Sequence, residues 1–198
     1  MSGAVDPVAR GLLRMHVSPD AVTIFGTLAA VTVALVCLPQ GWFLAAVLIL
    51  LFLTLSDLLD GTMARMAGTS GPWGNFLDAT LDRLTDGAIF AGVALYGAFH
   101  DQPWITAAAT LALVTGQVTS YSKARAEAVG ATANVGIAER AERLIILAIA
   151  VLLTAFGVPY VLPAALWLLG ALGLVTIGQR IWTVRKQLKP LSGTETNG

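Results

Sequence analysis

Asp57 and Asp60 stand three residues apart, Asp78 and Asp82 four apart, in the stretch DLLDGTMARMAGTSGPWGNFLDATLD. On helices, either spacing puts both carboxylates of a pair on one face. Four carboxylates facing one another repel unless cations lie between them. Oxygen ligands in that number suit a hard divalent ion, Mg²⁺, Mn²⁺ or Ca²⁺, better than zinc, which prefers His and Cys. Two such ions side by side would balance the charge and clamp a phosphate or diphosphate. Gly61 and Ala64, without bulky side chains, let a nucleotide lie against helix backbone. Arg65 adds a fork of donors for phosphate or a base edge.

The elements that must position these groups are apolar. Of 198 residues, 56% are hydrophobic and 12% charged, against about 25% charged in a soluble domain. With a mean hydropathy of +0.76, the chain reads as an all-α integral membrane protein. Residues 1–189 form a single domain, and the polar end at 190–198 is a disordered tail. The lone Cys37 lies in an apolar run and reads as a buried apolar residue. Apolar stretches at Val22–Leu38, Phe43–Leu59, Leu84–Phe99, Ile105–Val118, Leu144–Phe156 and Leu162–Ile181 predict six transmembrane helices. The second to fifth extend toward Arg65, Asp78, Arg125 and Arg140. Residues 5–15 read as an amphipathic interfacial helix, with Val8, Leu12 and Met15 on one stripe and Arg10 and Arg14 on another. Ser18-Pro19-Asp20 then starts the first span. The second span brings Asp57 and Asp60 to one end of the bundle. The third returns with Asp78 and Asp82, so an antiparallel hairpin joins the two pairs.

Charge distribution sets the orientation. The connections Pro39–Trp42, His100–Trp104 and Gly157–Pro163 hold no Lys or Arg, and all 12 basic residues fall toward the other side. Both termini and the aspartates therefore face the cytoplasm of a multi-pass cell membrane protein. Trp42, Trp104 and Tyr160 mark the opposite interface, and His16 and His100 read as interfacial. Ala88, Gly92, Gly170 and Gly173 permit close helix contact, within one chain or between two.

The pattern D-x2-D-G-x2-A-R-x8-G-x3-D-x3-D, from Asp57 to Asp82, resembles position for position the signature of the CDP-alcohol phosphotransferase family. The resemblance implies transfer of a phosphatidyl or related group from a CDP-linked donor to an alcohol, with release of CMP. It makes Asp57, Asp60 and Asp78 metal ligands. Asp82 matches a residue that both contacts metal and takes the proton of the attacking hydroxyl. Two Mg²⁺ or Mn²⁺ ions per site and a homodimer go with it. Gly61, Ala64, Arg65 and Gly74 match donor-binding positions, as do Asp20, Ala21, Val22 and Thr23 at the start of the first span. Gly71 falls where relatives carry Thr or Ser, a departure that either Thr69 or Ser70 covers or that removes the contact. Asp86, one turn beyond Asp82, is expected to be a hydrogen-bonding partner of the ligands rather than a ligand.

The acceptor is read from a second cluster, SYSKARAE at 120–127 and ERAER at 139–143. Arg140 and Arg143 share a face at the foot of the fifth span and Arg180 lies near the end of the sixth, so basic groups from three spans could converge on one anionic group beside the metal site. Neutral acceptors need no such cations. The segments SYSKARAEA and GIAERAER are similar to the actinobacterial branch of the family that joins inositol phosphate to CDP-diacylglycerol, and that resemblance implies that Ser120, Lys123, Arg125, Arg140, Arg143 and Arg180 hold the inositol phosphate. Glycerol 3-phosphate is the alternative acceptor. A divalent-cation channel or carrier is the reading from another class. Against it, the acidic clusters lie toward one membrane side, with Asp101 the one acidic residue in an opposite connection, and no span carries an ionisable residue near its middle.

Overall fold

The structure is a computed structural model that describes residues 18–54, 71–137 and 139–189. Asp57, Asp60, Gly61, Ala64 and Arg65 lie outside the described residues, as do the interfacial helix expected at 5–15 and the tail at 190–198. Among the described residues the regular structure is entirely helical. The helices are α1 (Pro19–Cys37), α2 (Phe43–Thr54), α3 (Pro72–Phe99), α4 (Pro103–Ala128), α5 (Arg140–Ala155) and α6 (Val161–Leu188). The described part of each apolar stretch of the sequence falls on one of them. Of these, α1 and α6 are long and apolar enough to cross a membrane.

Local chemistry accounts for the starts. Pro19, Pro72 and Pro103 occupy first-turn positions, where a missing N–H costs nothing. Ser18 caps α1 by accepting from the Ala21 N–H at 3.2 Å. The short turns need left-handed backbone: Gly41 (φ +75°) leads into α2, Asp101 (φ +53°) precedes α4, and Gly157 and Tyr160 (φ +82° and +60°) precede α6. The helices α3 and α4 run well beyond their apolar stretches, so their polar ends stand over the core as one continuous rod each.

Packing follows the small residues. Helix α3 packs on α1 and α4, and α6 packs on α4 and α5. A methyl at Gly92 would collide with the Ala34 carbonyl of α1, and side chains at Gly170 and Gly173 would run into Leu111 and Thr115 of α4. The close contacts expected at these glycines are therefore made within one chain. The core between the helices is aliphatic and alanine-rich, with Ala34, Val93, Ala108, Leu147 and Leu166 fully enclosed. Large apolar side chains such as Phe25, Phe52, Leu174 and Ile181 point outward and remain exposed. The segment 131–137 is fastened along α6. Gln187 both accepts from the Thr132 N–H and donates to its carbonyl at 2.8 Å, and the Ile137 N–H reaches the Thr176 hydroxyl at 3.3 Å.

Candidate active site

Helix α3 carries Asp78, Asp82 and Asp86 at successive i,i+4 positions, so one face presents three carboxylates at increasing depth. Asp78 is exposed. The Asp82 side chain is 24% exposed and that of Asp86 8%. A carboxylate so deep must be paired, and Asp86 is. Both its oxygens accept from the Arg140 Nε, at 3.1 and 3.2 Å, and Arg83 lies 3.5 Å away. Arg140 also spans to Asp82 through its Nη2 at 2.8 Å, and Arg83 stands 3.8 Å from Asp82. Asp86 is thus the partner of arginines, one of which, Arg140, also holds Asp82.

Arg83 gained no role from the sequence beyond membrane-side charge. In the structure it binds the Ser120 hydroxyl of α4, and its carbonyl accepts from Gln117 Nε2 at 2.9 Å. Gly87 leaves room for that glutamine: a Cβ there would stand 3.2 Å from Nε2. One signal was available beforehand, since Arg83 adjoins Asp82 and is three residues from Asp86 on the same helix.

Two cavities meet at Arg140. A narrow cleft of about 70 Å³ is lined by Thr23 and Thr27 of α1, Leu50 and Thr54 of α2, Asp78, Asp82 and Thr85 of α3, and Arg140. It adjoins an apolar cavity of about 240 Å³ between α2 and α5, with which it shares Leu50, Thr54, Ile89 and Leu144. On the other side lies a basic cavity of about 280 Å³, lined by Arg83, Lys123, Arg140, Arg143 and Arg180 with Thr119, Ser120, Glu127 and Glu139. Five of the six side chains expected to gather on an acceptor phosphate come together there. The sixth, Arg125, lines a different groove between α4 and α6, with Tyr121, Val129, Ile181 and Arg185. Helical geometry explains the split. Ser120, Lys123 and Glu127 follow an i,i+3,i+7 stripe, and Arg125 is two residues off it.

The cations of the basic cavity are not equivalent. Arg143 is 4% exposed and its guanidinium packs over Gly116, where a Cβ would lie 3.6 Å from Cζ. Its Nη1 has no hydrogen-bond partner, and neither do Arg83 Nε and Thr119 Oγ1 in the lining of the same cavity. Orphaned buried donors of this kind call for an acceptor. Arg180, equally buried, has donors already committed: Nε to the Val135 carbonyl at 2.9 Å and Nη1 to the Thr119 carbonyl. It therefore holds the 131–137 segment against α4 as well as lining the cavity.

On the other side of the bundle, the start of α1 is tied to the start of α3. Trp73 Nε1 donates to Asp20 Oδ2 at 2.9 Å, a link between distant parts of the chain that the sequence did not reveal. Thr23 lines the cleft with Asp78 and Asp82 and donates to the Pro19 carbonyl at 3.1 Å. Ala21 and Val22, on the same first turns of α1, are half-buried. Gly71 caps α3 in extended backbone, and a side chain at Gly74 would meet open space. The chemistry of the donor set fits a hard divalent cation on one side, since Asp78 and Asp82 offer carboxylate oxygens along a single cleft. Among the described residues no three His, Cys, Asp or Glu side chains gather into a complete cage.

The model of the CDP-alcohol phosphatidyltransferase family matches residues 16–184. The chain is 45% identical over 192 residues to phosphatidylinositol phosphate synthase of Cutibacterium acnes, covering 92% of either protein. It is similar to the crystal structure of Mycobacterium tuberculosis phosphatidylinositol phosphate synthase with CDP-DAG bound. That match has a TM-score of 0.86 at 44% identity and covers 91% of this chain and 93% of the other. The crystal structure of the Mycobacterium tuberculosis enzyme in complex with manganese and citrate gives a TM-score of 0.88 at 41% identity, covering 98% of each chain.

Proposed function

The chain belongs to the CDP-alcohol phosphatidyltransferase family, and on that footing we propose that it transfers the phosphatidyl group of CDP-diacylglycerol to a hydroxyl of inositol phosphate, yielding phosphatidylinositol phosphate and CMP. Identity of 45% across nearly the whole length of a phosphatidylinositol phosphate synthase supports this acceptor. The observation that carries the reading is the junction at Arg140, where a carboxylate-lined cleft and a basic cavity share one wall. A phosphorylated alcohol seated on the cations presents its hydroxyl toward Asp82 across that wall.

Asp57, Asp60, Asp78 and Asp82 would hold two Mg²⁺ or Mn²⁺ ions, which when bound would neutralise charge on the diphosphate. The chain's own groups do the rest. Asp20 to Thr23, Gly61, Ala64, Arg65, Gly71 and Gly74 seat the nucleotide end of the donor. The apolar cavity between α2 and α5 opens off the cleft and suits an acyl chain. The acceptor hydroxyl attacks the phosphorus nearer the lipid, the bond to the CMP oxygen breaks, and Asp82 takes the hydroxyl proton. Holding both reactants in line accounts for much of the rate. Arg83, Lys123, Arg140 and Arg143, with Ser120, hold the acceptor phosphate, and Arg180 supports them from behind.

In the membrane, residues 1–189 act as one domain of six spans, with the helix at 5–15 lying in the interface. Both termini and the site face the cytoplasm, an arrangement supported by the absence of Lys and Arg from the opposite connections. The active form is a homodimer. The deciding experiment offers purified protein CDP-diacylglycerol and Mg²⁺ with inositol phosphate, glycerol 3-phosphate, free inositol or serine, and identifies the lipid formed. Phosphatidylinositol phosphate from inositol phosphate alone supports the reading. Preference for any other alcohol overturns it.

A further inference from the structure

The basic cavity holds two carboxylates that phosphate recognition cannot use. Glu127, on the last turn of α4, and Glu139, at the N-cap of α5, line it beside Arg83, Lys123, Arg140, Arg143 and Arg180. Two ordinary explanations fall short of accounting for both. The first is helix-end chemistry: Glu139 makes no side-chain cap hydrogen bond, and only its charge suits the N-terminus of α5. Glu127 sits near a helix C-terminus, where a negative charge is unfavourable. The second is charge balance through ion pairs. Among the described residues every ion pair runs from Asp82 or Asp86 to Arg83 or Arg140, and no glutamate takes part. Glu139 lies within the field of Arg180 without contacting it. Both glutamates are exposed and line the cavity.

An ionised carboxylate is an acceptor only, and beside a bound phosphate it repels. Its natural counterpart in such a place is a hydroxyl donor. The cavity, at about 280 Å³, has room for more than a phosphate. We propose that Glu127 and Glu139 accept hydrogen bonds from the hydroxyls of the acceptor alcohol and so select a phosphorylated polyol ring over a short phosphorylated alcohol. This rests on the acceptor reading given above and assigns the cavity two kinds of group, cations for the phosphate and carboxylates for the ring hydroxyls. A site built to bond hydroxyls discriminates strongly against an analogue that lacks them, because its own polar groups are then left unpaired.

The test uses the full chain with CDP-diacylglycerol and Mg²⁺, measuring CMP release with inositol phosphate, and uses inorganic phosphate as a competing probe of the cations alone. Glu139→Ala and Glu127→Ala are each expected to raise the KM for inositol phosphate about tenfold, the size of a lost hydrogen bond to a charged group. Inhibition by inorganic phosphate should hold or strengthen, and the KM for CDP-diacylglycerol should stay put, which also reports that the variant is folded. Glu139→Gln, which keeps an acceptor oxygen, should recover part of the loss. A KM for inositol phosphate that is unchanged or lower in both alanine variants overturns the proposal and leaves the acceptor reading intact. Wild-type protein that ignores inositol phosphate and turns over glycerol 3-phosphate overturns both.

Discussion

Asp86 grips Arg140 from inside the bundle: the Arg140 Nε lies 3.1 Å from one carboxylate oxygen and 3.2 Å from the other, while its Nη2 reaches Asp82 at 2.8 Å. The guanidinium is thereby fixed at the wall between cleft and basic cavity. Asp86→Asn keeps the shape and removes the charge that orients it. Leaving a buried group short of its partner costs about 1–3 kcal/mol, so thermal unfolding of the variant in detergent should start lower. The KM for inositol phosphate should rise more than that for CDP-diacylglycerol. Equal rises would reduce Asp86 to a fold-holding residue.

Arg140 itself is the more direct probe. Arg140→Gln keeps length and polarity but loses the fork that binds phosphate. Its KM for the phosphorylated acceptor is expected to rise tenfold or more, with a smaller change for the lipid donor. Indistinguishable effects on the two substrates would mean that the basic cluster only anchors the bundle.

Asp82 is assigned the proton of the attacking hydroxyl. Asp82→Asn should insert in the membrane and still bind CDP-diacylglycerol, while turnover falls by about 10²–10⁴-fold, the usual scale of a lost general base. Equilibrium binding of the donor and single-turnover CMP release separate the two effects. Near-normal turnover removes Asp82 from the chemistry.

The fold makes its own prediction at α1 and α3. Gly92→Ala drives a methyl into the Ala34 carbonyl, and overpacking of this kind costs about 1–3 kcal/mol. Gly178→Ala, where a Cβ meets nothing within 4 Å, should leave the unfolding temperature unchanged or slightly higher, since alanine is the better helix former. The pair of melting curves checks the packing without reference to activity.

Much of the helical frame could be read from the chain because its signals are local. Proline at the first turns of α1, α3 and α4, Ser18 as a cap and the apolar stretches each report on their own neighbourhood. The shared face of Asp78 and Asp82 follows from spacing alone. What escaped depended on contacts distant in sequence. Nothing near Arg83 announces Ser120, and nothing near Asp20 announces Trp73. The positional resemblance groups Arg125 with the acceptor cations, whereas helical phase sets it apart from them. The stripe Ser120, Lys123, Glu127 excludes it, and the same stripe was the signal for Glu127. Arg180 shows the converse limit. This buried arginine lines the basic cavity and also ties the Val135 and Thr119 carbonyls, contacts that its own neighbourhood in sequence does not announce.

The most direct measurement is of the lipid product and its dependence on metal. Purified protein, stripped of divalent ions with a chelator and supplied with CDP-diacylglycerol and inositol phosphate, should form no lipid phosphate ester and release no CMP. Restoring Mg²⁺ or Mn²⁺ should give phosphatidylinositol phosphate and CMP in equal amounts. Full-speed formation of that lipid by the metal-stripped protein, or CMP release with no phosphatidylinositol phosphate after metal is restored, would contradict the account.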